Sequence, residues 1–182
     1  MEKIILKSGD QFGVNSDSMV STGINIFQKI YSADGKAEYN HSGIIVSATG
    51  ETFEARRKTS YYHLKDYLGK KILIARFTDL DLDKYLKAIK VLRADHDEVV
   101  YPAWRLVLHV FGPHVARWIG FGKKFLVCSE LVAKLEYLEG LRHSKYRGTT
   151  PDKLADEWRR WKGWQILAEG ELAKKDGMFF II

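Results

Sequence analysis

Apolar positions along the chain fall into short runs, interrupted by three stretches whose spacing is helical. Lys3-Ile4-Ile5-Leu6 suggests a short strand and Gly9-Asp10 a turn after it. Between Met19 and Tyr31, Ile24, Phe27 and Ile30 are spaced for one helical face. Gly43-Ile44-Ile45-Val46, a Gly50 turn and Thr52-Phe53-Glu54-Ala55 predict a hairpin, and Lys71 to Phe77 a third strand. Leu82, Leu86, Ile89 and Leu92 follow the 3.6-residue period behind Asp81, a suitable N-cap, so a helix is expected from Asp81 to about Ala94. Cys128, Leu131, Val132, Leu135 and Leu138 form a second seam, closed by Gly140. Pro151 opens a short helix through Trp158, and Gly163 to Leu167 and Met178 to Ile182 read as closing strands. The order is that of an α+β fold, with strands gathered mid-chain and helices before and after them.

Length and composition narrow this picture. A chain of 182 residues, 46% of them apolar, can bury a core without disulfides or metal staples, so one domain spanning residues 1–182 is expected. The window from Trp104 to Phe121 is broken by Arg105, His109, Gly112-Pro113-His114 and Arg117, which excludes a transmembrane helix there. Residues 101–121 read instead as an apolar insert: either two core helices broken at Gly112-Pro113, or a wall of a substrate pocket. The N-terminus meets Lys7, Ser8 and Gly9 too soon for a secretory signal, so a cytoplasmic location is expected. The formal charge of +6 admits an anionic substrate or peripheral contact with lipid headgroups. Clusters at Arg56-Arg57-Lys58, Lys70-Lys71, Lys123-Lys124 and from Arg142 to Arg160 read as solvated surface, and with no recognition motif beside them no nucleic-acid partner is expected. The oligomeric state leaves no mark in the sequence.

Cys128 is the one cysteine, which excludes an internal disulfide and a multi-cysteine zinc site, and no cofactor or metal is expected. It is either a packing residue or a reactive thiol. Its place in the first turn of a helix favours the thiolate, because unpaired N–H groups and the positive end of the helix dipole face it there. A nucleophile needs a base. Of six histidines, His63, His96, His109, His114 and His143 lie in helical or loop contexts dense in charge or aromatics. His41 immediately precedes an apolar strand, where a rigid sheet edge could hold an imidazole in fixed geometry.

These residues carry a resemblance. Gly9-Asp10-Gln11-Phe12-Gly13 resembles the Gly-Asp turn entering a strand, and His41-Ser42-Gly43-Ile44-Ile45 the His-x-Gly-Ile strand, of NlpC-type cysteine hydrolases. Val127-Cys128-Ser129-Glu130-Leu131-Val132 follows these elements, as in the circularly permuted, YiiX-like branch, and Thr149-Thr150-Pro151-Asp152-Lys153-Leu154 is similar to that branch's Thr-Pro-x-x-Leu segment. The resemblance implies a permuted papain-like fold whose central antiparallel sheet or half-barrel packs against the cysteine helix. It implies Cys128 as nucleophile, His41 as base and Glu54 as the residue that orients the imidazole, with Glu51 the nearby alternative. Strand alternation puts Glu54 on the face opposite Phe53, where it could meet a site. The backbone N–H of Cys128 is the expected oxyanion donor, and Asp10 is expected to cap a turn. The implied activity is thiol-dependent hydrolysis of an amide or ester, on a peptide or an acylated small molecule. Acyl transfer to or from lipid is an alternative enzyme reading, disfavoured by Val127-Cys128-Ser129 where the lipid-acting relatives have Asn-Cys-Glu. A non-catalytic amino-acid or peptide-binding module is the reading from another class.

Overall fold

The computed structural model of the protein describes residues 2–16, 38–56, 58–96, 127–143 and 145–182. The expected helix from Met19 to Tyr31, the insert at 101–121, Lys123-Lys124, His109 and His114 lie outside the described residues.

Among the described residues the fold is α+β. The strands are β1 (Glu2–Lys3), β2 (Gln11–Val14), β3 (His41–Ile45), β4 (Glu51–Ala55), β5 (Thr59–His63), β6 (Lys71–Phe77), β7 (Trp164–Lys175) and β8 (Met178–Ile181), and the helices are α1 (Leu82–His96), α2 (Cys128–Leu138) and α3 (Pro151–Arg160). A 3-10 turn at Leu64–Tyr67 follows β5. The strands form an antiparallel sheet in the order β1-β8-β7-β6-β2-β3-β4-β5.

The central strands are buried on both faces, and their sequences show why. In β6, Leu73 and Ala75 point to one side and Ile72 and Ile74 to the other; in β2, Phe12 and Val14 share the second side with Ile45 of β3. The first face packs under the helices, against Leu131, Val132 and Leu135 of α2, Leu154 and Trp158 of α3, and Tyr85, Ile89 and Leu92 of α1. The second gathers Ile4, Leu6, Leu64, Tyr67, Leu172, Phe179 and Ile181 into a separate core. Each of these side chains contributes about 1.5–3 kcal/mol when fully buried. The sheet rolls around that second core. Phe179 of β8 packs against Gly50, just before β4, and its ring lies 6.2 Å from that of His63 on β5, so strands far apart in the sheet order meet.

Several boundaries differ from the sequence reading. Pairing at the N-terminus is confined to Glu2–Lys3, after which Ile4 and Leu6 are buried and Ile5 is exposed. The closing strand expected to end at Leu167 runs on to Lys175, because it pairs first with β6 and then, past Gly170, with β8. His63 ends a strand instead of lying in a helix or loop, and its Nδ1 accepts from the Lys65 N–H. Arg142, read as surface charge, is buried beside Glu136 and Glu157, and Trp158 Nε1 donates to Glu136 at 2.9 Å. The α1 and α2 seams form where expected: Asp81 accepts from the Lys84 N–H at 3.1 Å, and α2 ends two residues before Gly140, whose φ of +73° suits glycine.

Candidate active site

The helix α2 packs across β3. Its start is fixed by Glu130, whose carboxylate accepts from the N–H groups of Val127 at 3.4 Å and Gly148 at 2.9 Å, and by Ser129, whose hydroxyl donates to Thr149 O at 2.6 Å. The Thr-Pro segment holds the other side: Thr150 caps α3, and Asp152 accepts from the N–H of Glu38 at 2.9 Å and of Tyr39 at 3.3 Å, just before β3. Residues 148–152 thereby tie the start of the cysteine helix to the start of the histidine strand.

The pairing of β3 with β4 begins only at Ile44, so His41 to Gly43 run along an open edge. Cys128, the first residue of α2, sits there. The His41 side chain and the backbone groups of Ser42 and Ser129 all hydrogen-bond to its sulfur. Burial alone would raise the thiol's pKa; the imidazolium and these bonds outweigh it, and the thiol titrates below its ordinary value.

His41 Nε2 lies 2.7 Å from Glu54 Oε2, which leaves Nδ1 for the thiol. Burial would lower the imidazole's pKa, but the thiolate and then the carboxylate carry it up to about 10. The ring is 13% exposed and Glu54 0%. Gly43 makes this approach possible: a Cβ there would stand 2.6 Å from Glu54 Cγ and 2.8 Å from the Phe12 ring.

Glu54 is heavily bonded. Besides His41, it accepts from Arg56 Nε at 2.8 Å and Nη2 at 3.3 Å, from the Tyr67 hydroxyl at 2.6 Å, and from the Thr52 hydroxyl. Burial opposes its charge, but His41 and then Arg56 hold it ionised, with a pKa of about 2. Of the residues singled out in the sequence, the structure brings together Cys128, His41 and Glu54. Glu51 is exposed at the start of β4, opposite His63, and Glu54 is the carboxylate at His41. Asp10 closes its turn by accepting from the Lys7 N–H at 2.8 Å and also binds Arg76. In the sequence reading Arg56, Thr52 and Tyr67 have no role at the site, although alternation places Thr52 on the face of Glu54. Thr52 and Arg56 stand two residues either side of Glu54, the spacing of one strand face, and that period was a usable signal. Nothing local marks Tyr67, which arrives from the 3-10 turn.

Among the described residues there is no group of three or more His, Cys, Asp or Glu arranged to hold a metal, and no helix long and apolar enough to cross a membrane. No family model and no curated protein matches the chain. Among solved structures, the chain is similar to the crystal structure of a protein described as metalloprotein yiiX from Escherichia coli O157:H7. The identity is 18% and the TM-score 0.47, over 92% of this chain and 99% of that one. The functional reading therefore rests on the geometry of the site itself.

Proposed function

We propose that this chain is a thiol-dependent hydrolase of the permuted papain-like, NlpC-type fold, acting through an acyl-enzyme on Cys128. One observation carries the reading: the His41 ring lies between the Cys128 sulfur and the Glu54 carboxylate, although the helix that bears Cys128 is far in sequence from the two strands that bear the others. The thiolate attacks the carbonyl carbon of an amide or ester, and the C=O electrons move onto oxygen. The N–H of Cys128 at the start of α2 donates to that oxyanion. His41 gives its Nδ1 proton to the departing amine or alcohol as the C–N or C–O bond breaks, leaving a thioester. Neutral His41 then takes a proton from water, whose oxygen attacks the thioester, and the thiolate departs with the acid as product. Glu54 holds the ring in place and stabilises the imidazolium in both steps.

A chromogenic aryl ester tests this. Intact-protein mass spectrometry at pH 6 is expected to show an acyl group on Cys128 that clears as phenol release continues beyond one equivalent. Cys128→Ser abolishes both, and His41→Ala slows them by about 10²–10⁴-fold. An acyl group that forms and never clears, or acylation unaffected by His41→Ala, is incompatible with the proposal.

A further inference from the structure

The carboxylate of Glu54 is oversubscribed. Three donors, His41 Nε2 at 2.7 Å, Arg56 Nε at 2.8 Å and the Tyr67 hydroxyl at 2.6 Å, converge on the single oxygen Oε2, while Oε1 takes the Thr52 hydroxyl and Arg56 Nη2. A carboxylate offers about four lone-pair sites, two on each oxygen. His41 therefore competes for its own anchor. Anchoring alone would not need this arrangement, since the strand backbone, the Thr52 hydroxyl and packing beside Gly43 already fix where Glu54 points.

We propose that Arg56 and Tyr67 are positioning residues that act on His41 through Glu54, drawing on the oxygen His41 uses and limiting how strongly the carboxylate retains the imidazolium proton. The charged and titratable groups around His41 are consistent with that division. From α2 comes Cys128, from β4 Glu54, and from the 3-10 turn Tyr67, its ring centroid 5.9 Å from that of His41. Arg56 follows β4, its guanidinium 4.1 Å from the Tyr62 ring centroid and 5.0 Å from that of Tyr67, and Asp66 fixes its far end at 2.9 Å. Both anions at His41 raise its proton affinity; Arg56 is the cation set against them. A general acid works best when its proton affinity is near the working pH, so an unrestrained thiolate and carboxylate together would make His41 a poor donor to the leaving group.

The kinetic consequence rests on the catalytic reading above, but the electrostatic claim does not, and the experiment separates them. The His41 pKa is measured by ¹⁵N NMR titration in a Cys128→Ser background, where no thiolate contributes and no turnover is needed. Arg56→Gln is expected to raise it by about one unit, since the positive charge lost is bonded to the same Glu54 oxygen as His41 Nε2. Tyr67→Phe is expected to raise it by less, and Arg56→Lys, which keeps the charge, to leave it near the parent. A merely structural role for Arg56 gives the opposite sign, because a displaced Glu54 lets His41 fall towards its ordinary value. An unchanged or lower pKa in folded Arg56→Gln overturns the proposal. Should that variant not fold, Tyr67→Phe decides on the same criterion. A chain that hydrolyses nothing but shows these shifts would refute the function and leave the clamp standing.

Discussion

Replacing Glu54 by glutamine changes one oxygen to an amino group in a pocket built from donors. Whichever way the amide is turned, its NH₂ faces either the Thr52 hydroxyl and Arg56 Nη2, or His41, Arg56 Nε and Tyr67. The cost can be worked from the carboxyl's own preference. Its pKa lies at about 2 against an ordinary 4.5, so the folded protein favours the anion over the neutral acid by about 3 kcal/mol, and a neutral isostere forfeits a similar amount at pH 7. Because the folded-state value is the lower one, this stability is fully present above about pH 4.5 and is lost as pH falls towards 2. Wild type and Glu54→Gln should therefore differ by about 3 kcal/mol in urea unfolding at pH 7, and the gap should close through that acid window. A difference that stays constant from pH 7 to 2.5, or stays below about 1 kcal/mol at neutral pH, would refute the account of Glu54 as a buried anion held by its donors. On the proposed function, the same variant should lose less activity than Cys128→Ser, because it would weaken the orientation of the base and leave the nucleophile in place.

Gly43→Ala sets a methyl group 2.6 Å from Glu54 Cγ and should cost about 1–3 kcal/mol in thermal or urea unfolding, with slower Cys128 alkylation at pH 6 as Glu54 is pushed from His41. Iodoacetamide alkylation followed across pH should show an inflection below the unperturbed 8.5 or so in wild type, and in His41→Ala an inflection near or above that value; identical profiles would remove the ion pair from the argument. Arg142→Met leaves Glu136 and Glu157 without their shared cation and should destabilise the fold by about 3–5 kcal/mol at pH 7, measured by urea unfolding.

What could be read in the sequence was what is local. The α1 and α2 seams are periodic over several turns, with Asp81 opening the first and Gly140 closing the second, so both helices lie close to where the pattern put them. The β5 strand, Thr59-Ser60-Tyr61-Tyr62-His63, was missed because an edge strand has few buried positions and no clean alternation, and the 3-10 turn after it went with it. Tyr67 therefore had no context from which its hydroxyl could be placed on Glu54. The basic clusters misled for a related reason. A run of Arg and Lys looks alike whether solvated or bonded, and only the fold shows that Arg56 is bound to a buried carboxylate and that Arg142 is enclosed with two.

The site itself follows from an interruption in the sheet. Strand alternation sends His41 and Glu54 to the face enclosing the second core, while α2 packs on the other face, so a fully paired β3 would separate thiol from imidazole. They meet because β4 joins β3 only from Ile44 onwards, which leaves the Ser42 N–H to bond sulfur instead of a neighbouring strand, and lets Cys128 reach His41 around the open edge. The lone glycine of His41-Ser42-Gly43 then clears the inner face for Glu54. A strand whose first three residues must serve a thiol, a ring and a carboxylate cannot also complete its ladder, and that unmade pairing is the structural cost of placing the three groups in contact.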